Sequence, residues 1–322
     1  MKTSPFQSED HFLEAISDRF PNAHPHMTVG RGDDCAVLDC PKTMVMTCDM
    51  FVENVHFRRA NFSPQDAGHK ALAVNLSDIA AMGAKPVGFC LGLAGPPDTP
   101  SACWEGVLDG MAALANSTGI PLVGGDLNAC SSMVISITVW GEPGESGRLF
   151  QRRMCHPGDV LFVVGELGLA AVGLSRLESE GPACAGSWPD AVAAHLRPEA
   201  KLAQGLELAG FRGVRGLMDV SDGLARDLPR FLPDGLAAEL SIPEDMIHAE
   251  VIRHARDTGR DPAELAVIGG EDYALLGACH RSMFLELYGR MPGMWPIGHA
   301  VEGQGITING KPLLNKGFDH FG

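Results

Sequence analysis

Apolar and polar residues change period several times along the chain, and each change marks an element. Phe12, Ile16 and Phe20 recur every four residues behind Ser8, which predicts a capped amphipathic helix ended by Pro21. From Thr43 to Met50 the pattern turns to alternation, "TMVMTCDM", and predicts a strand with Thr47 and Asp49 on one face and Cys48 on the other. "SPQDAGHKALAVNLSDIAAMGAKP" then opens with Ser63 as N-cap and Pro64 at the first helical position, and closes at Gly83, the clearest helix in the sequence. "VGFCLGLAG", "IPLVGGD" and "MVISITVWG" read as strands, with a helix from Ser101 to about Ser117 between the first two. The order strand, helix, strand, helix, strand, strand predicts an α/β or α+β fold and excludes a helical bundle.

The second half mixes its elements in the same way. "DVLFVVG" predicts a strand, helices are expected around Leu169 to Leu177 and Pro198 to Leu208, and late strands near Tyr273 to Cys279. The stretch Ser179 to Ala191, "SEGPACAGSWPDA", reads as a surface loop. Gly141 to Arg148, "GEPGESGR", combines Gly, Pro and charge after a completed strand, so it is the expected boundary between domains 1–145 and 146–322. A chain of 322 residues has room for two such cores.

Composition narrows the function. Forty Asp and Glu against 25 Lys and Arg give a formal charge of −15, which opposes binding to nucleic acid or anionic membranes. An acidic protein that handled phosphates would need divalent cations to bridge like charges. The nine cysteines form no CxxC pair and sit mostly in apolar contexts, so they read as reduced core residues and not as a zinc or disulfide framework. The amino terminus lacks an apolar core, and the most apolar later run, Val160 to Leu174, is too short to span a bilayer and contains Glu166. The chain reads as cytoplasmic.

The chain has 39 glycines, an excess over the usual share of about 7%, and the excess sits beside acidic residues, as GDD, GGD, SDG and GGED. Asp33 and Asp34 form either a cation-binding pair or a solvated turn. Asp49, late in an apolar strand, calls for a metal or a buried hydrogen-bond network, because an uncompensated carboxylate there is costly. Asn75 and Asp78 lie three residues apart on a helix otherwise apolar on that side. Asp126 ends "PLVGGD", where functional groups of open α/β sheets gather. In "GLMDVSDGLARDL", Ser221 is expected to cap a helix with Asp222 in its first turn, while Asp219 at the strand end has no such explanation. Two carboxylates beside helix N–H groups suit Mg²⁺ and a nucleotide phosphate. Neither GxxxxGK[ST] nor the HRD and DFG set of protein kinases is present.

In order and spacing, "GDDCAVLD", "DMFVENVHF", "KALAVNLSDIAAMGAKP", "VSDGLARDL", "GGEDYALL" and "KGFDHF" resemble the thiamine-monophosphate kinase family, from Phe12 to the tail. That resemblance implies the two-domain fold shared with aminoimidazole ribonucleotide synthetase: an N-terminal mixed sheet that pairs across a homodimer, and a C-terminal α/β domain closing a cleft. It implies ATP as co-substrate, several Mg²⁺ ions and thiamine monophosphate as acceptor. Carried over by position, it assigns Asp34, Thr47, Cys48, Asp49, Asp78, Asp126, Asp219 and Asp222 to the metals. Gly125, Asp126, Arg152 and Ser221 go to ATP, and His56, Glu271 and Asn315 to the substrate. Asp219, Asp222 and Arg152 would carry the phosphoryl transfer.

Three positions depart from the family pattern. Cys48 stands where a second hydroxyl residue is usual, and a thiol is a poor partner for a hard ion. Asp126 leads into "LNACSS" instead of Thr-Thr-Arg-Gly, and Asn315 replaces the usual Trp that stacks on thiamine. Two alternatives remain open at this level: an enzyme of the same fold with a different small phosphorylated substrate, and a catalytically silent nucleotide- or metal-binding module.

Overall fold

The computed structural model of the chain describes residues 4–6 and 8–313. Its contacts divide it into two compact units, Met1–Ile79 with Lys85–Pro143, and Ala80–Ala84 with Gly144–Gly322.

The first unit begins with α1 (Glu9–Ser17), where the Ser8 hydroxyl accepts the His11 N–H at 3.3 Å, as its sequence predicts. A two-stranded ribbon, β1 (Met27–Val29) and β2 (Val37–Leu38), follows. Then come β3 (Val45–Val52), α2 (Pro64–Ala81), β4 (Ala84–Gly95), α3 (Ser101–Thr118), β5 (Leu122–Ala129) and β6 (Val134–Pro143). The four long strands form a mixed sheet in the order β3-β6-β4-β5, with β3 antiparallel to β6 and β4 parallel to β5. At the start of α2 the Ser63 hydroxyl accepts the Asp66 N–H at 3.2 Å, and the Asp66 carboxylate accepts from the Ser63 hydroxyl and N–H. This reciprocal cap explains why the helix starts where the sequence places it.

Alternation along β3 sorts its residues by face. Phe51 is buried and Thr47 and Asp49 are half-buried, whereas Met46, Cys48 and Met50 are exposed. On the inner face Thr47, Asp49 and Phe51 stand opposite Val139, Ile137 and Ile135 of β6, all three buried. Met46 and Met50 stand 66% and 57% exposed, so the other face carries apolar side chains into solvent.

The second unit contains β7 (Val160–Val164), α4 (Leu169–Glu180), α5 (Pro189–Leu196), α6 (Leu202–Gly210), β8 (Val214–Val220), α7 (Leu224–Phe231) and β9 (Leu236–Leu240). It continues with α8 (Ala249–Thr258), α9 (Pro262–Ile268), β10 (Ala274–Cys279), α10 (Arg281–Tyr288), β11 (Met294–Glu302), β12 (Ile306–Ile308) and β13 (Lys311–Pro312). Seven strands form one sheet in the order β13-β12-β9-β11-β7-β10-β8. It is mostly antiparallel, with β12 parallel to β9. Every residue of β7 and β10 is buried. Leu161 and Val163 enter one apolar core, and Val160, Phe162 and Val164 the other, so both faces of this sheet are covered.

Two expectations fail here. The cysteines are not a set of core residues: Cys155, Cys184 and Cys279 are buried, but Cys35, Cys40, Cys48 and Cys130 are exposed, because they lie in loops or on the open side of a strand. Ser179 to Ala191 is not a surface loop: a 3₁₀ turn spans Pro182–Gly186 and α5 begins at Pro189. Cys184 and Trp188 are buried in the core, and Trp188 is clasped between the guanidinium groups of Arg176 and Arg253, 4.0 and 3.6 Å from its ring. Gly and Pro signalled a break in the chain, but the cation–π clasp and the buried indole hold it down. Among the described residues, no helix is long and apolar enough to cross a membrane.

Candidate functional site

In the first unit, β3 and α2 bring three of the expected metal-binding residues together. Thr47 and Asp49 share the inner face of β3, and the Thr47 hydroxyl donates to the Asp78 carboxylate on α2. The Asp49 carboxyl is pushed up from 3.8 to about 6, first by burial and then by the charge of Asp78. Two half-buried carboxylates, the charge of one raising the proton affinity of Asp49, with a hydroxyl beside them, are a hard oxygen set that a divalent cation would neutralise. Mg²⁺ fits these donors in kind. Among the described residues, however, no three His, Cys, Asp or Glu side chains gather closely enough to hold an ion by themselves.

The other expected ligands of this unit lie apart from that pair. The Cys48 side chain occupies the opposite, exposed face of β3, which turns its thiol away from Asp49. Asp34 is exposed, with its N–H donated to the Asp33 carboxylate at 2.8 Å. The loop that carries it is anchored by Arg31, whose guanidinium donates to the carbonyls of Phe20 and Leu122 and whose backbone exchanges hydrogen bonds with Asn22 at 2.6 and 2.7 Å. Gly125 and Asp126 are exposed within β5, opposite Leu91 and Gly92, and not at the strand end that the sequence suggests. Because β5 and β3 are the two edges of the sheet, Asp126 is three strand spacings, roughly 14 Å, from the strand that carries Asp49. His56 follows β3. Its Nδ1 accepts the Val52 N–H at 3.0 Å and its ring stacks on Phe51 at 5.8 Å, so part of its bonding serves the fold.

In the second unit, Asp219 is the penultimate residue of β8, paired with Leu275 of β10 and 3% exposed. Ser221 and Asp222 form the turn into α7, but Ser221 is not its cap. The helix begins at Leu224 behind Gly223, whose φ of +96° and close approach to the Ile268 and Gly269 carbonyls leave no room for a side chain. The capping runs backwards: the buried Asp227 carboxylate, inside the helix, accepts the N–H groups of Ser221 and Asp222, each at 3.0 Å. Burial lifts Asp227 to about 6, while those two hydrogen bonds and Arg230 pull the other way. Asp222 is held at 2.6 Å by Arg230 and at 3.4 Å by Arg226. The turn therefore presents one buried and one partly exposed carboxylate on a rigid frame.

The "GGEDY" segment lies against that turn. Glu271 and Tyr273 adopt left-handed backbone angles, φ +65° and +49°, and their N–H groups donate to the Ser221 and Val220 carbonyls at 2.7 and 2.9 Å. Adjacent residues then take opposite roles. Asp272 is half-buried and accepts the Gly168 and Ala170 N–H groups at 2.6 and 3.2 Å, which caps α4; burial pushes its carboxyl up to about 8. Glu271 remains partly exposed, with one carboxylate oxygen 3.0 Å from Nδ1 of the buried His195. Arg152 precedes β7, is exposed, and makes no ion pair among the described residues. Asn315 and the closing "KGFDHF" lie outside the described residues.

Sequence reasoning did not single out Arg31, His195, Asp227 or Asp272. Asp227 and Asp272 each sit directly before a buried residue, Leu228 or Tyr273, in a motif already recognised, and that placement was the available signal.

Models of the AIR synthase related protein family match both halves, the N-terminal domain at residues 32–142 and the C-terminal domain at residues 156–311. The chain is 34% identical over 307 residues to the thiamine-monophosphate kinase of Mycobacterium tuberculosis (strain ATCC 25618 / H37Rv), covering 91% of this chain and 86% of that one. The crystal structure of thiamine-monophosphate kinase from Stenotrophomonas maltophilia K279a superposes with a TM-score of 0.81 at 30% identity, over 95% of this chain and 98% of that one. The structure of AaThiL complexed with AMPPCP and TMP has a TM-score of 0.78 at 28% identity, with 97% of each chain covered.

Proposed function

The chain belongs to the AIR synthase related family and, within it, to the thiamine-monophosphate kinases, and on that premise we infer that it transfers a phosphoryl group from ATP to thiamine monophosphate, giving thiamine diphosphate and ADP. The observation that carries this reading is the likeness, over 97% of each chain, to AaThiL complexed with AMPPCP and TMP.

The acceptor in this reaction is a phosphate oxygen, anionic near neutral pH, so no general base is needed and in-line transfer without a phosphoenzyme suffices. Catalysis then rests on positioning and on charge neutralisation. We propose that Thr47, Asp49 and Asp78 hold Mg²⁺, supported by their shared position and the raised Asp49 carboxyl. Asp34, Asp126, Asp219 and Asp222 are proposed as further ligands, with Cys48 limited to its backbone carbonyl. Bound Mg²⁺ supplies neutralisation of phosphate charge. Ser221 and Gly125 are proposed to contact ATP, Arg152 to meet the transferring group, and His56, Glu271 and Asn315 to bind thiamine monophosphate.

We further propose a homodimer. The open sheet face, with Met46 and Met50 in solvent, and the two edge strands β3 and β5 support pairing with a second copy. ATP as co-substrate suits a cytoplasmic enzyme. The test incubates purified protein with ATP, Mg²⁺ and thiamine monophosphate and follows products by chromatography. Thiamine diphosphate and ADP in equal amounts are expected. ADP with free phosphate and no thiamine diphosphate would overturn the reading.

A further inference from the structure

We propose that His195 is a positioning residue for substrate selection: its imidazole fixes the carboxylate of Glu271 in the orientation that receives thiamine monophosphate. The inference rests on the reading above that Glu271 meets the substrate.

Three observations carry it. His195 lies on α5 and is 1% exposed, yet its Nδ1 is 3.0 Å from the Glu271 carboxylate, which keeps about a quarter of its side chain in solvent. An ion pair that served only the core would enclose both partners. Here the histidine is inside, and the acid reaches the surface with one oxygen already bound. The Glu271 backbone is also fixed independently, at φ +65° with its N–H on the Ser221 carbonyl, so backbone and side chain are each held from a different side. Finally, α5 approaches α4 closely enough to place the imidazole. Gly173 of α4 faces the Ala191 carbonyl and the His195 Cβ, and a methyl group there would come within 2.0 Å of that carbonyl.

A donor on Nδ1 fixes the tautomer and leaves the carboxylate able to accept from, or pair with, a cationic group on the substrate. Thiamine carries such a group in its thiazolium ring. A pre-oriented carboxylate binds it with less ordering on association than a freely rotating one. The effect belongs to acceptor binding and not to the ATP step.

The test compares His195→Leu, which removes the donor, with His195→Gln, which restores one. His195→Leu should raise KM for thiamine monophosphate about tenfold, with KM for ATP and kcat within twofold of wild type, and His195→Gln should recover most of the loss. In a Glu271→Ala background, His195→Leu should have no further effect on that KM. Equal losses in kcat and both KM values, or an undiminished His195 effect without Glu271, would overturn the proposal. If Glu271→Ala itself leaves KM for thiamine monophosphate unchanged, the substrate-facing reading of Glu271 fails first, which separates the two. Wild-type protein labelled with ¹⁵N-histidine covers the case in which a variant does not fold. Its His195 Nδ1 resonance should move on adding thiamine monophosphate and stay with AMPPCP alone, and an unmoved resonance overturns the proposal.

Discussion

Replacing Asp49 by Asn should make the metal-free protein more stable while destroying its activity. The Asp49 carboxyl is raised from 3.8 to about 6 by burial and by Asp78. Between those two values the native state keeps a proton that the unfolded chain has already released, so stability falls as pH rises through the window. The penalty is absent below about pH 4 and complete above about pH 6. A shift of about two units corresponds to a ceiling of about 3 kcal/mol, and the half-buried position and solvent screening reduce this to roughly 1–2 kcal/mol. Asn removes the repelling charge at similar volume. At pH 8 in EDTA, Asp49→Asn should therefore melt about 2–8 °C above wild type, using about 2–4 °C per kcal/mol for domains of this size. The gap should close as pH falls towards 4. Added Mg²⁺ should stabilise wild type and do so less in the variant. Thermal melts across pH, with and without Mg²⁺, decide it. A variant less stable than wild type at pH 8, or a gap that does not vary with pH, would refute the view that this carboxylate pair is strained until a cation arrives.

Asp219→Asn should lower turnover by at least about a hundredfold with an unchanged circular dichroism spectrum, and normal turnover in the folded variant would remove Asp219 from the metal set. Asp227→Ala strips the acceptor from the Ser221 and Asp222 N–H groups, so a loss of about 1–3 kcal/mol by chemical denaturation and a raised KM for ATP are expected. Trp188→Ala should cost about 3–5 kcal/mol, and a cost below 1 kcal/mol would return the segment to the status of a surface loop. Asn315→Trp should lower KM for thiamine monophosphate several-fold by adding a stacking surface, whereas an unchanged KM would mean that position does not face the thiamine rings.

What the sequence made legible followed from local rules. Ser8 and Ser63 announced their helices because capping is decided within four residues, and β3 was readable because alternation survives wherever one face is buried. The pairing of Thr47 and Asp49 on one face came from the same period. Ser221 misled because a serine at a strand-to-helix junction satisfies the capping rule locally, while Asp227, one turn into the helix, does the capping from behind. Trp188 was missed because its stabilising partners, Arg176 and Arg253, lie 12 and 65 residues away. His195 was invisible for the same reason. Its partner is 76 residues distant, and nothing in "AAHLRP" marks an inward-facing imidazole. The recognised motifs named most of the acids, but which acids share a place depended on sheet order, and that order puts Asp126 on the far edge from Asp49.

Glu271 and Asp272 are neighbours with opposite destinations, one towards solvent and one plugged into the start of α4. The arrangement works as a reading frame. Deleting or inserting a single residue between Gly269 and Tyr273 would offer the wrong carboxylate to each destination, uncapping a helix and misdirecting a binding group at once. Among related proteins this stretch should therefore keep its length, and keep an acceptor side chain at the position of Asp272. An engineer wishing to change the acceptor would do better to exchange residue 271 together with its support at residue 195 than to lengthen the loop.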